Sequence, residues 1–128
     1  WRTGHYGHPA GKLPYAVQRA DRRPMALAGI WEVWHDPSDP DAEPLRTCAI
    51  VTTSANDLMA PIHDRMPVIL ESEDWGAWLD PATDLEVVQG LMVPARSGIL
   101  ETHPVSTRVN NVANEGPDLL DPLPAPPS

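Results

Sequence analysis

The chain has 128 residues, the size of one small domain, and 41% of them are hydrophobic, so a core is affordable; yet Phe is absent and Pro reaches 16, far above the ~5% of an ordinary chain. A formal net charge of −9 argues against a nucleic-acid binder working through clustered Lys and Arg over its whole surface. No run approaches the ~20 apolar residues of a membrane helix, and the single Cys excludes an internal disulfide.

The charge is uneven. Arg2, Lys12, Arg19, Arg22 and Arg23 crowd the first segment, while the acids gather in 36–43, 71–86 and the tail, which leaves room for a local basic face. The chain opens on Trp1 and Arg2 without an initiator Met and reads like a strand entered in mid-course, so an upstream part of the domain is expected outside it. Lacking a basic-then-apolar leader, it is expected to be soluble and cytoplasmic.

Residues 3–12, with three Gly and one Pro, predict a loop. L-P-Y-A-V-Q (13–18) is a short strand, and A-D-R-R-P (20–24) a turn, as in a hairpin. P-M-A-L-A-G-I-W-E-V-W (24–34) is the strongest apolar run and predicts a buried strand with a bulge or close backbone approach at Gly29. D-P-S-D-P-D-A-E-P (36–44) is an exposed acidic loop. T-C-A-I-V-T-T (47–53) is the next strand, and S-A-N-D-L-M (54–59) predicts one or two helical turns capped by Ser54. M-P-V-I-L (66–70) is a strand. Two short amphipathic helices follow, over 72–79 with Ser72 as N-cap and over 83–92 with Thr83. L-E-T-H-P-V-S-T-R-V (100–109) is the last strand, and from Asn114 a Pro-rich tail is ordered where Leu119 and Leu120 dock. The class is α+β, with a mixed, mostly antiparallel sheet and short flanking helices; the pattern leaves open whether the sheet closes into a barrel.

Two residues stand out chemically. Glu32 interrupts a run otherwise fit for burial. It either points to solvent on the polar face of a strand or lies in a cleft beside Trp31 or Trp34, where desolvation would favour its neutral form and suit it to acid–base work. His63 sits between two prolines in A-P-I-H-D-R-M-P. A lone His before a strand is commonly a structural hydrogen-bonding residue, but an extended segment would turn Arg65 the same way, as a phosphate clamp beside a proton donor, with Asp64 facing elsewhere to pair with backbone. Thr52, Thr53 and Ser54 end a strand before the expected helical turn, where hydroxyls and a helix N-terminus could hold a phosphate; capping explains Ser54 equally well. His5 and His8 have metal-like spacing but no convincing partners, so no metal site is expected. Cys48 reads as an inert core cysteine. Asn110, Asn111 and Asn114 either bind a ligand or shape a turn. No Walker loop, dinucleotide fingerprint, nucleophile elbow or zinc-binding Cys set is present.

In order, A-G-I-W-E, T-C-A-I-V-T-T-S-A-N, I-H-D-R-M-P-V-I-L and H-P-V-S-T-R-V-N-N resemble the SRAP domain, the SOS response-associated peptidase family, over roughly residues 1 to 122, with 123–128 left as a Pro-rich tail. The resemblance implies a domain that recognises abasic sites in single-stranded DNA and crosslinks to them through the amine and thiol of an N-terminal cysteine, without cofactor or metal, in the cytoplasm with the nucleoid. It implies that Glu32 moves protons around that amine and the sugar aldehyde, that His63 helps open the sugar ring, and that Arg65 and Thr52 contact the DNA backbone. The departure lies at the N-terminus. Trp1 stands where the nucleophile should be, and Cys48 cannot replace it, because a thiazolidine needs thiol and α-amine on one residue. The chain therefore looks like the C-terminal portion of the domain, inactive alone and monomeric once the rest is present. Two alternatives stay open: a thiol autopeptidase that removes its own propeptide, and a non-catalytic module for single-stranded DNA. The catalytic readings share one wager, that Glu32 and His63 converge on one pocket.

Overall fold

The computed structural model describes residues 13–124; the loop over 3–12, Arg2, Lys12, the His5/His8 pair and the last four tail residues lie outside the described residues. In chain order the strands are β1 (Tyr15–Arg19), β2 (Ala26–Leu27), β3 (Gly29–Trp34), β4 (Leu45–Ile50), β5 (Thr52–Ser54), β6 (Arg65–Pro67), β7 (Ile69–Leu70) and β8 (Leu100–Pro104), with helices α1 (Trp75–Leu79) and α2 (Leu85–Leu91) between β7 and β8. The fold is α+β, with antiparallel strand pairs and short helices. The described residues divide into two compact units, one drawing on 13–24, 55–66 and 95–124, the other on 25–54 and 67–94.

In the first unit β1 pairs antiparallel with β8 in the register Tyr15↔Pro104 to Arg19↔Leu100. The predicted strand over 13–18 is therefore present, but the turn after it makes no hairpin: β1 takes its partner from the far end of the sequence. Met59, Met66, Leu100 and Val105 are buried in this unit. The turn is held by Asp21, whose carboxylate accepts from Arg19 Nε (2.9 Å), Arg19 Nη2 (2.8 Å) and the Arg23 amide (3.0 Å). Arg22 adopts a left-handed conformation (φ 63°), uncommon outside glycine, and its guanidinium reaches Glu101 at 2.7 Å.

The Arg19 side-chain bond, then the Arg23 amide, hold the Asp21 carboxyl well below the usual carboxylate range. A depressed folded-state value stabilises fully above the unfolded-state value, ~3.9; the contribution begins to fade below that and is lost only as pH falls through the depressed folded value. Asp21→Asn should thus lower the urea midpoint at pH 7, and the gap to the parent should narrow without closing at pH 3. Asp21 is solvent-exposed, so the effect will be small.

The last strand is shorter than predicted. It ends at Pro104, and Ser106 starts a 3-10 turn over Thr107–Asn110 by accepting from the Arg108 amide. The tail is pinned mainly through backbone: the Leu123 amide donates to the Pro104 carbonyl (3.0 Å), Val105 bridges Pro122, and His103 Nε2 lies 2.8 Å from the Leu120 carbonyl. Leu119 is half-buried but Leu120 is exposed, so only the first of the two leucines expected to dock is covered.

The second unit is built on a cyclic junction. The Ala28 amide donates to the Val68 carbonyl (2.8 Å), the Val68 amide to Val51 (2.9 Å), and the Val51 amide to Ala28 (2.9 Å). Each residue interrupts an apolar run that reads as continuous in sequence: Ala28 separates β2 from β3, Val51 separates β4 from β5, and Val68 separates β6 from β7. Ala28 and Val68 are fully buried and form the core with Leu70, against which Val51, Trp78, Leu91 and Met92 pack. The close approach predicted at Gly29 thus falls one residue earlier. A Cβ on Gly29 would meet the Ala49 carbonyl at 3.7 Å and Ile50 Cδ1 at 4.0 Å, both ordinary contacts.

β2 pairs with β7, and β3 with β4 in the register Gly29↔Ile50 to Trp34↔Leu45. The strand predicted to be buried over 24–34 is mostly exposed from Gly29 to Trp34, as is β4 throughout. Among the described residues β3 pairs with β4 alone, and a two-stranded ribbon without a covering layer leaves its apolar side chains in water. The two predicted helices exist, but neither Ser72 nor Thr83 caps them. Ser72 opens a 3-10 turn before α1, whose N-cap is Asp74, and Asp84 is the N-cap of α2; neither cap makes a side-chain bond. In the acidic loop, Asp36 folds the chain on itself by accepting from Ser38 Oγ (2.6 Å) and the Ser38 amide (2.8 Å).

Candidate nucleic-acid and acid–base site

His63, Asp64 and Arg65 form one local cluster in the first unit. The stretch from Asn56 to His63 contains no helix, contrary to the prediction that Ser54 caps one. Ser54 lies in β5, and Asn56 organises the turns instead: its Oδ1 accepts from the Met59 amide (3.0 Å), its carbonyl from the Ala60 amide (2.9 Å), and its Nδ2 donates to the Ala95 carbonyl (3.0 Å). An Asn side chain that mimics a backbone turn competes with helix at this spacing. The helix N-terminus expected to hold a phosphate beside Thr52, Thr53 and Ser54 is therefore absent.

The Ile62 and His63 amides both donate to Met59 (2.8 and 2.9 Å), which closes the turn and releases the chain into β6 at Arg65. His63 is turned back on its own chain, so an extended-strand alternation does not relate it to Arg65. The Arg65 amide donates to His63 Nδ1 at 3.0 Å. A backbone N–H can only donate, so where this bond is made Nδ1 is the acceptor of a neutral ring whose proton is on Nε2. The Arg65 carbonyl at 3.0 Å and Asp64 Oδ1 at 3.2 Å approach the same nitrogen and favour a proton there. Nδ1 thus faces one donor and two acceptors, and both protonation forms of the ring find a partner. Asp64 does not face elsewhere, as the alternation argument implied; its carboxylate lies on the imidazole. The adjacency His-Asp was the available signal, and treating the segment as extended concealed it. The His63 side chain is 44% exposed, accessible to a ligand without being loosely held.

Glu32 and Thr52 belong to the second unit. Glu32 is exposed at the centre of β3 opposite Thr47, with Ile30 and Trp34 two residues away on the same side of the strand. Among the described residues it occupies no desolvated cleft. Thr52 opens β5 and is exposed, while the neighbouring Thr53 hydroxyl donates to the Met92 carbonyl (3.4 Å). Cys48, expected in the core, is exposed and stands opposite Trp31. It helps to line a groove of about 450 Å³ with Leu27, Trp31, Trp75, Trp78 and Leu79. The two α1 indoles are fixed by donation to backbone, Trp75 to Leu70 (3.1 Å) and Trp78 to Gly29 (3.0 Å). The asparagines shape turns: Asn111 Oδ1 accepts from the Ala113 amide, and Asn114 Nδ2 donates to the Arg108 carbonyl. Among the described residues no group of three or more His, Cys, Asp or Glu could hold a metal, and no helix is long and apolar enough to cross a membrane.

Comparison with known proteins turns these placements into a family assignment. Residues 1–112 match the family model described as SOS response associated peptidase (SRAP). The chain belongs to the SRAP family. The SRAP chain is 40% identical over 114 residues to the abasic site processing protein YoqW of Bacillus subtilis, a match covering 88% of this chain and 50% of the relative. It is 38% identical over 103 residues to the abasic site processing protein HMCES of Gallus gallus, covering 79% of this chain and 30% of that one. A crystal structure of a protein from Bacteroides thetaiotaomicron superimposes with a TM-score of 0.78 at 26% identity, over 91% of this chain and 50% of that one. The SRAP chain thus spans half or less of these relatives, and the motifs around Glu32, Thr52, His63 and Arg65 all fall inside the matched region.

Proposed function

We propose that this chain is the acid–base and DNA-contacting portion of a SRAP domain that captures abasic sites in single-stranded DNA covalently. The observation that carries the reading is the His63 imidazole, accessible and held at Nδ1 by the Arg65 amide and Asp64, in a chain whose relatives are named abasic site processing proteins. The nucleophile, an N-terminal cysteine, belongs to the portion of the domain that this chain does not span.

An abasic deoxyribose is mostly a closed hemiacetal. Opening it breaks C1′–O4′, with a proton gained at O4′ and one lost from the C1′ hydroxyl. The imidazolium form of His63, its Nδ1 proton facing Asp64 and the Arg65 carbonyl, is suited to donate from Nε2 to O4′ and is left as a neutral ring. The cysteine amine then adds to the aldehyde carbon, and the carbinolamine loses water to give a Schiff base. Thiolate addition to the same carbon closes the thiazolidine, so amine, thiol and aldehyde yield the ring and one water. Glu32 takes the proton released by the attacking amine and returns it to the departing hydroxyl. Arg65 and Thr52 contact phosphates of the flanking strand.

A full SRAP domain made by joining this chain to the non-matching half of YoqW, incubated with a single-stranded oligonucleotide bearing one abasic site, should give a shifted band that survives denaturation. His63→Ala should slow its appearance roughly 10²-fold, in the range of a lost general acid, while His63→Gln retains the fold. Absence of the band from a folded domain with an intact N-terminal Cys would refute covalent capture. Salt-sensitive retention of the strand without a covalent band would leave the non-catalytic binding module.

A further inference from the structure

We propose that Asn56 is a positioning residue for His63: it fixes the peptide unit from which the imidazole-bearing turn hangs, and it ties that turn to the segment entering β8. The inference rests on the preceding reading, in which His63 helps to open the sugar ring, and adds the residue that decides where the imidazole stands. The loop from Ala55 to Asp64 joins β5 to β6 and is closed at its ends by the Ala55 amide, which donates to the Asp64 carbonyl (3.1 Å). Inside it, the peptide between Met59 and Ala60 has both polar groups engaged. Its N–H, on Ala60, donates to the Asn56 carbonyl (2.9 Å). Its C=O, on Met59, accepts from the Ile62 amide (2.8 Å) and the His63 amide (2.9 Å). A peptide unit is planar and stiff, so the Asn56 backbone and the His63 amide stand at the two ends of one rigid plate.

The Asn56 side chain sets the angle of that plate. Its Oδ1 accepts from the Met59 amide (3.0 Å), which fixes the preceding peptide, and its Nδ2 donates to the Ala95 carbonyl (3.0 Å), 39 residues away in sequence. Met59, 8% exposed, anchors the loop in the interior of the first unit. The segment that Ala95 opens is itself held, because the Ile99 carbonyl accepts from the Ala20 amide (2.9 Å) where β1 ends against β8. An amide side chain offers an acceptor and a donor together; a carboxylate at this position could close the turn but has no N–H for Ala95. The His63 side chain is nearly half exposed, so its place is set more by the backbone beneath it than by packing. Asp64 and the Arg65 amide fix the rotation of the ring; Asn56 fixes where the ring stands. A reacting group displaced by about 1 Å can lose roughly 10²-fold in rate, so the clamp matters to the chemistry without touching the substrate.

The test is a double-mutant cycle in the domain completed with the non-matching half of B. subtilis YoqW, read by single-turnover crosslinking to an abasic oligonucleotide. Asn56→Ala should slow crosslinking at saturating strand by about 10- to 100-fold and leave the half-saturating strand concentration within about twofold, the split expected when binding contacts survive and the chemical step does not. In a His63→Ala background the same substitution should add less than about twofold, since a residue that acts through His63 has nothing left to place. A parental rate in Asn56→Ala, or a His63→Ala protein slowed by the full factor, would overturn the proposal; the second result is general loosening of the fold. Should Asn56→Ala fail to fold, Asn56→Asp, which keeps the turn-closing acceptor and loses the donor to Ala95, enters the same cycle under the same criteria. Hydrogen exchange in this chain alone decides the geometry independently of DNA. Whichever variant folds should lose protection at the Ile62 and His63 amides and keep it at the Ala20 and Val105 amides, which donate to Ile99 and Pro14. Unchanged protection at His63 would equally overturn the assignment. A completed domain that forms no crosslink at all refutes the crosslinking reading, and the exchange measurement still decides whether Asn56 places His63.

Discussion

Glu32→Gln in a completed domain should lower the rate of crosslink formation by about 10²- to 10⁴-fold, the range for loss of a positioned general acid–base group, while in this chain alone it should change the unfolding midpoint little. The two halves of that expectation come from different facts. The amide keeps the shape and hydrogen-bonding capacity of the carboxyl but cannot accept a proton from the attacking amine or return one to the leaving hydroxyl. The stability effect in this chain is small because Glu32 is exposed there, and surface substitutions away from caps and networks usually stay within about 0.5 kcal/mol. Single-turnover kinetics of the completed domain with abasic oligonucleotide and urea melts of this chain read the two separately. A variant that crosslinks at the parental rate would remove Glu32 from the chemistry, whatever the fate of His63.

The largest stability effect is expected from Leu70→Ala. Leu70 is 5% exposed and shares the core of the second unit with Ala28 and Val68, both fully buried. Truncation loses its transfer free energy and leaves a cavity that the cyclic Ala28–Val51–Val68 junction cannot collapse around without breaking backbone bonds. The cost should fall at about 2–5 kcal/mol, as for other buried Leu→Ala substitutions. A urea titration followed by far-ultraviolet circular dichroism reads it directly. Leu85→Ala, which truncates an exposed leucine at the start of α2, supplies the contrast and should shift the midpoint by much less.

The same contrast explains how far the residues could be read in advance. Short apolar and β-branched runs located strand structure at 13–18, 47–53 and 66–70, because those signals are local. The interruptions at Ala28, Val51 and Val68 were not visible: each residue continues the apolar pattern of its run, and only the three-way exchange of backbone bonds among distant segments takes it out of its strand. The caps assigned to Ser54, Ser72 and Thr83 failed for a related reason. A hydroxyl before an amphipathic stretch is a permissive signal, and the chain used Asn56 in one case and Asp84 in another. Cys48 and Trp31 read as core because their run is apolar, yet burial needs a covering layer that the run itself does not encode.

Composition, the count of strand and helix segments, and the ordered motifs from A-G-I-W-E to H-P-V-S-T-R-V-N-N were sufficient for the α+β class and the SRAP family, since both are properties of short contiguous segments. They could not say that β1 would bypass the next strand to pair with β8, nor that the Asp64 carboxylate would lie against the His63 imidazole. Those outcomes are set by which distant backbone groups satisfy one another and by how a turn rotates a single ring, and a free-energy balance among many contacts leaves no mark on any one stretch of residues.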